Sequence, residues 1–182
     1  MKLQVVVDTA ISPALDVSIR EGLCACFPPD REVFCRTRAW HGSHPTWSVL
    51  VTEDGHDSRV VAHAGIVERQ ILIGRERVCV AGVQNVYVLP ENRGAGLFEQ
   101  VMSAALEEAR RRWLDFGVLF CSPEIGRKYA RLGWLPLEGR NITRTDEHGR
   151  RQPLPPKNVT FYRLLTGRSL PTGDLDLLGN DW

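Results

Sequence analysis

The pattern of apolar and polar residues divides the chain into short strands and amphipathic helices. Residues 3–7 form an apolar run that is typical of a strand. Apolar side chains then recur every three or four residues across 15–26, and Ser12 followed by Pro13 supplies a helix start. The pattern therefore predicts an amphipathic helix, which ends before the paired prolines at 28–29.

Longer β-rich runs begin at residue 47. Residues 47–53, 60–73 and 77–89 are each predicted to form a strand. Gly74 separates the last two runs, and this arrangement indicates an antiparallel hairpin.

The second half of the chain alternates between helical and strand patterns. A helix is predicted over 96–113, a buried strand over 116–120 and a second helix over 122–133. Two more strands are predicted, one from residue 134 and one over 158–165. The whole pattern indicates an α/β fold, with a mixed and mainly antiparallel central sheet flanked by helices.

Composition and charge narrow the class of protein. The 182 residues suffice for one domain, 1–182, with 43% hydrophobic and 25% charged residues as in ordinary globular proteins. A net charge of +1 argues against a protein that coats nucleic acid. The longest uncharged apolar segment, 78–90, is too short for a membrane span, which needs about 20 residues.

The five cysteines indicate reduced thiols. Their number is odd, their spacing matches no disulfide framework, and the first residues lack a secretory signal pattern, so a cytoplasmic location is expected. Cys24 and Cys26 stand about 200° apart around a helix, so they cannot both face one ion. No metal site is predicted.

A glycine-containing turn carries the strongest functional signal. It follows the strand residues Val86, Tyr87 and Val88 and leads into a helix. Backbone N–H groups in such a turn point inward, and the helix start adds positive partial charge, which suits a phosphate group. The alternative is a turn that only reverses the chain. The residues of the turn are Arg93, Gly94, Ala95, Gly96, Leu97 and Phe98.

This turn resembles the phosphate loop of the GNAT superfamily of acyl-CoA-dependent N-acetyltransferases. That loop follows the pattern Arg/Gln-x-x-Gly-x-Gly/Ala, and here Phe98 stands where a small residue is usual. A second family element, Tyr-x-x-x-Gly-aromatic, is matched from Tyr129 to Trp134. The resemblance covers about 47–137, and a C-terminal tail over 166–182 lies outside it. The resemblance implies the GNAT fold, with acetyl-CoA as cosubstrate.

The resemblance also implies roles for these residues. The strand holding Val86 and Val88 would diverge from its neighbour, and the pantetheine arm would bind their main chain. The amides of the turn would hold the pyrophosphate, and Tyr129 would donate a proton to the departing thiolate. Tyr129 could instead be a helix tyrosine that covers the sheet edge. The implied cofactor-binding residues are Val86, Tyr87, Val88, Arg93, Gly94, Ala95, Gly96, Leu97 and Phe98.

No general base is assigned. Many relatives carry a Glu on the strand before the loop, but here Gln84 stands in that stretch and cannot accept the proton. A water chain, Glu68 or His63, or an amine that arrives neutral are the alternatives, and a mid-strand histidine such as His63 is more typical of a core. Gln84 and Asn85 are candidates for holding a water or a polar group of the substrate.

The stretches Ala62-His63-Ala64 and Tyr129–Pro136, together with an acidic tail that ends in Trp, resemble the aminoglycoside N-acetyltransferases. Nodulation-factor acyltransferases are similar more distantly. The resemblance implies that Asp181 and the carboxylate of Trp182 contact a cationic amino sugar. Asp174 and Asp176 add to this acidic tail, in which only Arg168 has the opposite charge. A solvated acidic tail is the alternative.

The sequence therefore predicts an acetyl-CoA-dependent N-acetyltransferase that acts on the primary amine of a small molecule, such as an amino sugar. Two alternatives remain: a non-catalytic module that binds acyl-CoA, and an acyltransferase that uses a longer acyl chain. Partners other than the small-molecule amine, nucleic acid and membranes included, are not expected, and a homodimer is left open.

Overall fold

The computed structural model of the chain describes residues 1–182, apart from the side chains of residues 56–58. The strands are β1 (Lys2–Val7), β2 (Trp47–Glu53), β3 (His56–Ile73), β4 (Glu76–Val88), β5 (Phe116–Cys121), β6 (Leu135–Pro136), β7 (Ile142–Thr145), β8 (Arg151–Pro153), β9 (Val159–Leu164) and β10 (Leu175–Asp176). The helices are α1 (Pro13–Cys26), α2 (Arg31–Phe34), α3 (Leu97–Arg111) and α4 (Pro123–Arg131), with 3₁₀ turns at Asp8–Ala10, Pro28–Asp30 and Pro90–Asn92. Over the described residues, no helix combines the length and the apolar run that crossing a membrane requires.

Local chemistry sets the ends of the first helix and of the long hairpin. The backbone N–H of Leu15 donates to the Ser12 hydroxyl at 3.3 Å, and Pro13 occupies the first turn of α1. At the β3–β4 turn, Gly74 adopts a φ of +61°, and a Cβ there would overlap the carbonyl oxygen of Thr172. The predicted helix start and hairpin are both confirmed.

The sheet is mixed and mainly antiparallel, as predicted. Its path runs β1-β2-β3-β4-β5-β9-β6, and β10 pairs with the far end of β3 and carries β7 and β8 beside it. β4 pairs with β5 in parallel, as β10 does with β7, and the remaining neighbours are antiparallel. The short strands β7, β8 and β10 were not predicted from the sequence.

β4 and β5 diverge at their carboxyl ends. Their pairing covers residues 80–83 of β4 against 116–119 of β5. Beyond this point β5 pairs only with β9, and β4 continues along β3. A register shift in the β3–β4 pairing coincides with a φ of +55° at Asn85, so a bulge bends β4 where the two strands separate.

The two faces of the sheet bury different cores. One face packs against α3, whose buried stripe includes Val101 and Met102, and also against Tyr129 of α4. The opposite face is covered by the C-terminal segment, with Leu177 and Trp182 among its buried residues. A third cluster lies under α1. The diverging ends of β4 and β5 are thus approached by α3 and α4 from one side and by the tail from the other.

Candidate active site

A cleft of about 670 Å³ lies along the end of β4, at residues 86–88, beyond the residues that pair with β5. Its walls are formed by β4, the turn before α3, α4 and the end of α1. All the cofactor-binding residues expected from the sequence line it except Ala95, and so does Tyr129. The expected residues that line the cleft are Val86, Tyr87, Val88, Arg93, Gly94, Gly96, Leu97, Phe98 and Tyr129.

The turn at one end of the cleft has the geometry of an anion site. Gly94 and Gly96 have φ values of +83° and +73°, and a Cβ placed on either would meet no atom within 4 Å. Backbone conformation, and not crowding, therefore requires glycine at both positions. Gly96 is the N-cap of α3 and provides no side-chain hydrogen bond, so the first amides of the helix are open to a ligand.

Three cationic side chains surround this turn. The Arg93 Nε donates to the carbonyl oxygen of Val88 at 3.3 Å, which fixes the start of the arginine side chain against β4. Lys128 and Arg131 of α4 line the cleft, where Glu99 is the one acidic residue among the described lining residues. Sequence reasoning missed both α4 cations, although their spacing of three residues puts them on the same side of a helix.

Tyr129 is buried among aromatic rings at the inner end of the cleft. Its ring centroid lies 5.6 Å from that of Phe98, 6.2 Å from Trp134 and 6.5 Å from Phe161. Burial raises the pKa of Tyr129 above its ordinary value, and the nearby Cys121 thiol adds to this rise. The phenol therefore keeps its proton at neutral pH and is available as a donor.

Tyr87 lines the cleft as part of β4, but its side chain packs against His63 and Gly22. The ring stacks on His63 with 5.5 Å between centroids, and its hydroxyl is buried beside Gly22 of α1.

Two further lining residues, Cys26 and Phe27, come from the end of α1. The Cys26 sulfur lies 3.6 Å from the carbonyl oxygen of Val88. Neither residue stands in a recognisable motif, so no sequence signal indicates that it lines the cleft.

Gln84 and Asn85 use their side-chain amides to hold a neighbouring segment. Gln84 Nε2 donates to the carbonyl oxygen of Ser43 at 2.6 Å, and Gln84 Oε1 accepts from the Trp40 backbone N–H at 3.3 Å. Asn85 Nδ2 donates to the carbonyl oxygen of Arg38 at 2.6 Å. Both residues are buried. Their observed role is to fasten residues 38–43 to the bulge in β4.

The two residues considered as bases lie outside the cleft. His63 is fully buried, with Nδ1 2.7 Å from the carbonyl oxygen of Asn85 and Nε2 3.2 Å from the Ser48 hydroxyl. Burial lowers the pKa of His63 to about 4, so the ring is neutral at physiological pH. The Glu68 carboxylate pairs with Arg112 at 3.4 Å. The alternative of His63 as a satisfied core histidine fits this geometry.

The acidic tail is neutralised by partners that the sequence did not indicate. The carboxylate of Asp181 accepts hydrogen bonds from Arg144 and from His41 Nδ1, the latter at 2.9 Å. Burial pushes the pKa of Asp181 upward, but these two hydrogen bonds outweigh it and hold the pKa below its ordinary value. Asp176 pairs with Arg151 in the same way.

Arg168, the one basic residue of the tail itself, pairs with acids outside the tail. Arg168 pairs with Glu76 and Asp115, both at 3.0 Å, and lies away from Asp181. The tail acids meet other arginines, because the β7–β8 hairpin folds back beside β10 and brings its arginines to the tail. Asp174 is held by Asn141, whose backbone N–H and side-chain amide donate at 2.9 and 3.1 Å.

Trp182 packs beneath the last paired residues of β4 and β5. A Cβ on Gly82 would overlap the indole ring, and the indole N–H donates to the carbonyl oxygen of Val118 at 3.4 Å. Arg69 lies over the ring, with its guanidinium carbon 5.5 Å from the ring centroid. The last residue thus reaches the divergence of the strands from the face opposite α3.

The sequence is similar to known acetyltransferases. The sequence profile described as an acetyltransferase (GNAT) domain matches residues 18–136. An aminoglycoside 2′-N-acetyltransferase of Mycolicibacterium fortuitum is 32% identical over 99 residues, 50% of each chain. Glucosamine 6-phosphate N-acetyltransferase 1 of Oryza sativa subsp. japonica is 36% identical over 90 residues, 48% of this chain and 52% of the relative. The chain thus spans about half the length of the curated relatives it matches.

A solved structure extends the likeness in fold to nearly the whole chain. The GNAT family acetyltransferase from Brucella melitensis, crystallised with acetyl-CoA, superposes with a TM-score of 0.61 at 20% identity. The match covers 96% of this chain and 94% of that protein.

Proposed function

This chain belongs to the acetyltransferase (GNAT) family, and on that premise we propose that it transfers an acetyl group from acetyl-CoA to the primary amine of a small molecule. One observation carries the proposal: the open turn at Gly94–Gly96 and the buried phenol of Tyr129 line the same cleft, at the point where β4 and β5 separate. A turn that served only to reverse the chain would not need a proton donor in the same cleft.

The residues present fit acetyl-CoA. Open amides at the start of α3, together with Arg93, Lys128 and Arg131, offer hydrogen bonds and positive charge to the phosphates. The main chain of β4 past Val83 is free of β5, and there it offers hydrogen bonds to the amides of the pantetheine arm. Acetyl-CoA supplies a thioester, an activated acetyl group that an amine accepts without further activation.

Tyr129 is the proposed general acid. As the carbon–sulfur bond breaks, the Tyr129 hydroxyl donates its proton to the leaving sulfur. The sulfur then departs as a thiol, which is its stable form at neutral pH because a thiol has a pKa near 8.5. The phenol holds this proton beforehand, since burial raises its pKa. The amine nitrogen loses its own proton to water in this proposal, because neither Gln84, His63 nor Glu68 is suited to accept it in the cleft.

We propose an amino sugar with few positive charges as the acceptor. The names of the two curated relatives specify an aminoglycoside and glucosamine 6-phosphate, both of which carry amines on sugar rings. The carboxylate of Asp181 is already compensated by Arg144 and His41, so the tail offers little attraction to a polycation. Trp182, whose indole lies against Gly82 of β4, is the remaining candidate from the tail for contacting the amine.

The test measures free thiol release from acetyl-CoA with a panel of acceptors, and mass spectrometry of the products. Glucosamine, glucosamine 6-phosphate and an aminoglycoside with a 2′-amine form the panel, and glucose is the matched acceptor without an amine. We expect thiol release together with an N-acetylated product, faster for the monoamines than for the polyamine, and none with glucose.

Two additional measurements, thermal unfolding with coenzyme A and thiol release from octanoyl-CoA, separate the two alternatives. A non-catalytic module would be stabilised by coenzyme A in thermal unfolding and yield no acetylated product with any amine. The absence of an acid at Gln84 favours that alternative. An enzyme for longer acyl chains would release thiol faster from octanoyl-CoA than from acetyl-CoA.

A further inference from the structure

Two thiols from different helical segments lie against each other beside the cofactor cleft. The sulfur of Cys24, on α1, is 3.7 Å from the sulfur of Cys35, which follows α2. Cys35 is exposed and Cys24 is partly buried. Among the described residues this is the one sulfur–sulfur contact of the chain. The remaining cysteines, Cys26, Cys79 and Cys121, have other surroundings.

We propose that Cys24 and Cys35 are a redox modification site, at which a low-molecular-weight disulfide such as glutathione disulfide converts the two thiols into an internal disulfide. The resulting bond closes the short loop 24–35. That loop contains Cys26 and Phe27, which form the α1 wall of the cleft. Oxidation would therefore tie the segment after α2 to the end of α1 that carries this wall.

Cys35 reacts first, because it is exposed and Cys24 is partly buried. The exposed Cys35 thiolate attacks one sulfur of the glutathione disulfide, the S–S bond breaks, and one glutathione leaves as thiol. The Cys24 thiolate then attacks the Cys35 sulfur of the mixed disulfide, and the second glutathione leaves. Two protein thiols are oxidised, and one glutathione disulfide is reduced to two thiols.

The second step, attack by the Cys24 thiolate, is rate-limiting in this proposal. Burial raises the pKa of the Cys24 thiol, and the adjacent Cys35 raises it further. Because the thiolate is the attacking species, closure of the internal disulfide should accelerate as the pH becomes mildly alkaline. The sulfurs need only move from 3.7 Å to about 2 Å, the length of a disulfide bond, to complete it.

The experiment uses the reduced full-length protein and an excess of glutathione disulfide at mildly alkaline pH. We expect the intact mass to fall by two hydrogen atoms, and a non-reducing digest to contain the Cys24 and Cys35 peptides joined to each other. The melting temperature should rise by about 5 °C, since closing a short loop restricts the unfolded chain, and a reductant should reverse the rise.

Single variants make the test specific. Cys24→Ser should retain one glutathione on Cys35, because the thiol that displaces it is gone. Cys35→Ser should form no internal disulfide, and Cys79→Ser should behave as the unmodified chain. Persistent glutathione on both cysteines of the unmodified chain would overturn the proposal. So would a crosslink through Cys26, Cys79 or Cys121, or no reaction at all. None of these readouts depends on acetyl transfer.

Discussion

The ring of Phe98 packs against the ring of Tyr129 at an interplanar angle of 64°, with 5.6 Å between the centroids. Phe98 belongs to the first turn of α3, directly after the phosphate-type turn, and Tyr129 belongs to α4. The two sequence elements that carry the resemblance to the GNAT superfamily therefore touch. Phe98, where the family usually has a small residue, here forms one side of the aromatic surroundings of the proposed acid.

Replacing Tyr129 with Phe tests the proposed acid. The variant keeps the aromatic packing and loses only the hydroxyl, so kcat should fall about 100- to 1000-fold while the dissociation constant of acetyl-CoA stays within about twofold. Thiol-release kinetics give kcat, and titration of the protein gives the binding constant. Tyr162→Phe, on β9 and outside the cleft lining, is the matched control. An unchanged kcat in Tyr129→Phe would remove the residue from the mechanism.

Replacing Phe98 with Ala tests whether this ring positions Tyr129. Loss of the edge-to-face contact, together with a partly buried side chain, should lower the free energy of unfolding by about 1–3 kcal/mol. A less fixed phenol should also lower kcat about tenfold, more than the affinity for acetyl-CoA changes. Phe98→Leu, which retains apolar volume, should recover most of the stability and little of the rate. Equal recovery of both would mean that Phe98 acts through stability alone.

The cations of α4 should contribute to binding of the nucleotide part of coenzyme A. Replacing Lys128 or Arg131 with Gln should weaken coenzyme A binding about three- to tenfold, as for the loss of one partly exposed charge contact. Added salt should shrink the difference from the unmodified chain. Calorimetric titration at two salt concentrations measures both effects.

Arg127→Gln is the control on the same helix, because Arg127 lines a different cavity on the other side of α4. Pantetheine, which lacks the nucleotide phosphates, is the control ligand. Its affinity should be unaffected by any of these variants. Equal weakening of pantetheine and coenzyme A would contradict a contact with the phosphates.

Local patterns were enough to predict the elements that build the cleft. Ser12-Pro13 marks the start of α1, Gly74 marks the hairpin, and the glycines at 94 and 96 mark the turn. In each case the signal lies within a few neighbouring residues and has a direct backbone cause. The fold class follows from the order of these elements, and the divergence of β4 from its neighbour was implied by the family resemblance.

Contacts between distant parts of the chain could not be predicted in the same way. β7, β8 and β10 are two to four residues long and contain few apolar residues, so no periodic pattern marks them. Their arginines nevertheless neutralise the tail acids. The position of Gln84 alone made it a candidate for contacting substrate, whereas its amide holds Ser43 and Trp40, which lie 41 and 44 residues earlier in the sequence.

The Asp181–Arg144 pair should stabilise the fold through mutual compensation. Both side chains are largely buried, at 6% and 16% exposure. Removing Asp181 leaves Arg144 uncompensated, and removing Arg144 leaves Asp181 with His41 alone. Asp181→Asn and Arg144→Gln should each lower the free energy of unfolding by about 2–3 kcal/mol, and the double variant should lose much less than the sum. Urea unfolding of the cycle measures the coupling. Glu147→Gln, an exposed acid, is the control, and additive losses would show that the pair is not coupled.

His63 should make the stability of the fold depend on pH. Its pKa is about 4 in the folded chain, because of burial, and about 6.5 when unfolded. Between these values the unfolded chain binds a proton that the folded chain does not. The contribution of the neutral His63 ring to the free energy of unfolding is therefore fully present above pH 6.5 and is lost as the pH falls through 4. Urea unfolding should show a loss of about 2 kcal/mol from this group between about pH 7.5 and pH 5.

A comparison of two histidine variants isolates that contribution. His63→Gln removes the titrating ring and retains groups that can hydrogen-bond, so it should cost stability at every pH but make the profile flatter by about 2 kcal/mol over the same interval. His44→Gln alters an exposed histidine and should leave the profile of the unmodified chain intact. If His63→Gln retained the full loss on acidification, the buried ring would not be its source. Carboxylates with lowered pKa values, such as Asp181, do not account for a loss in this interval, because their contribution to stability is lost only as the pH falls below about 4.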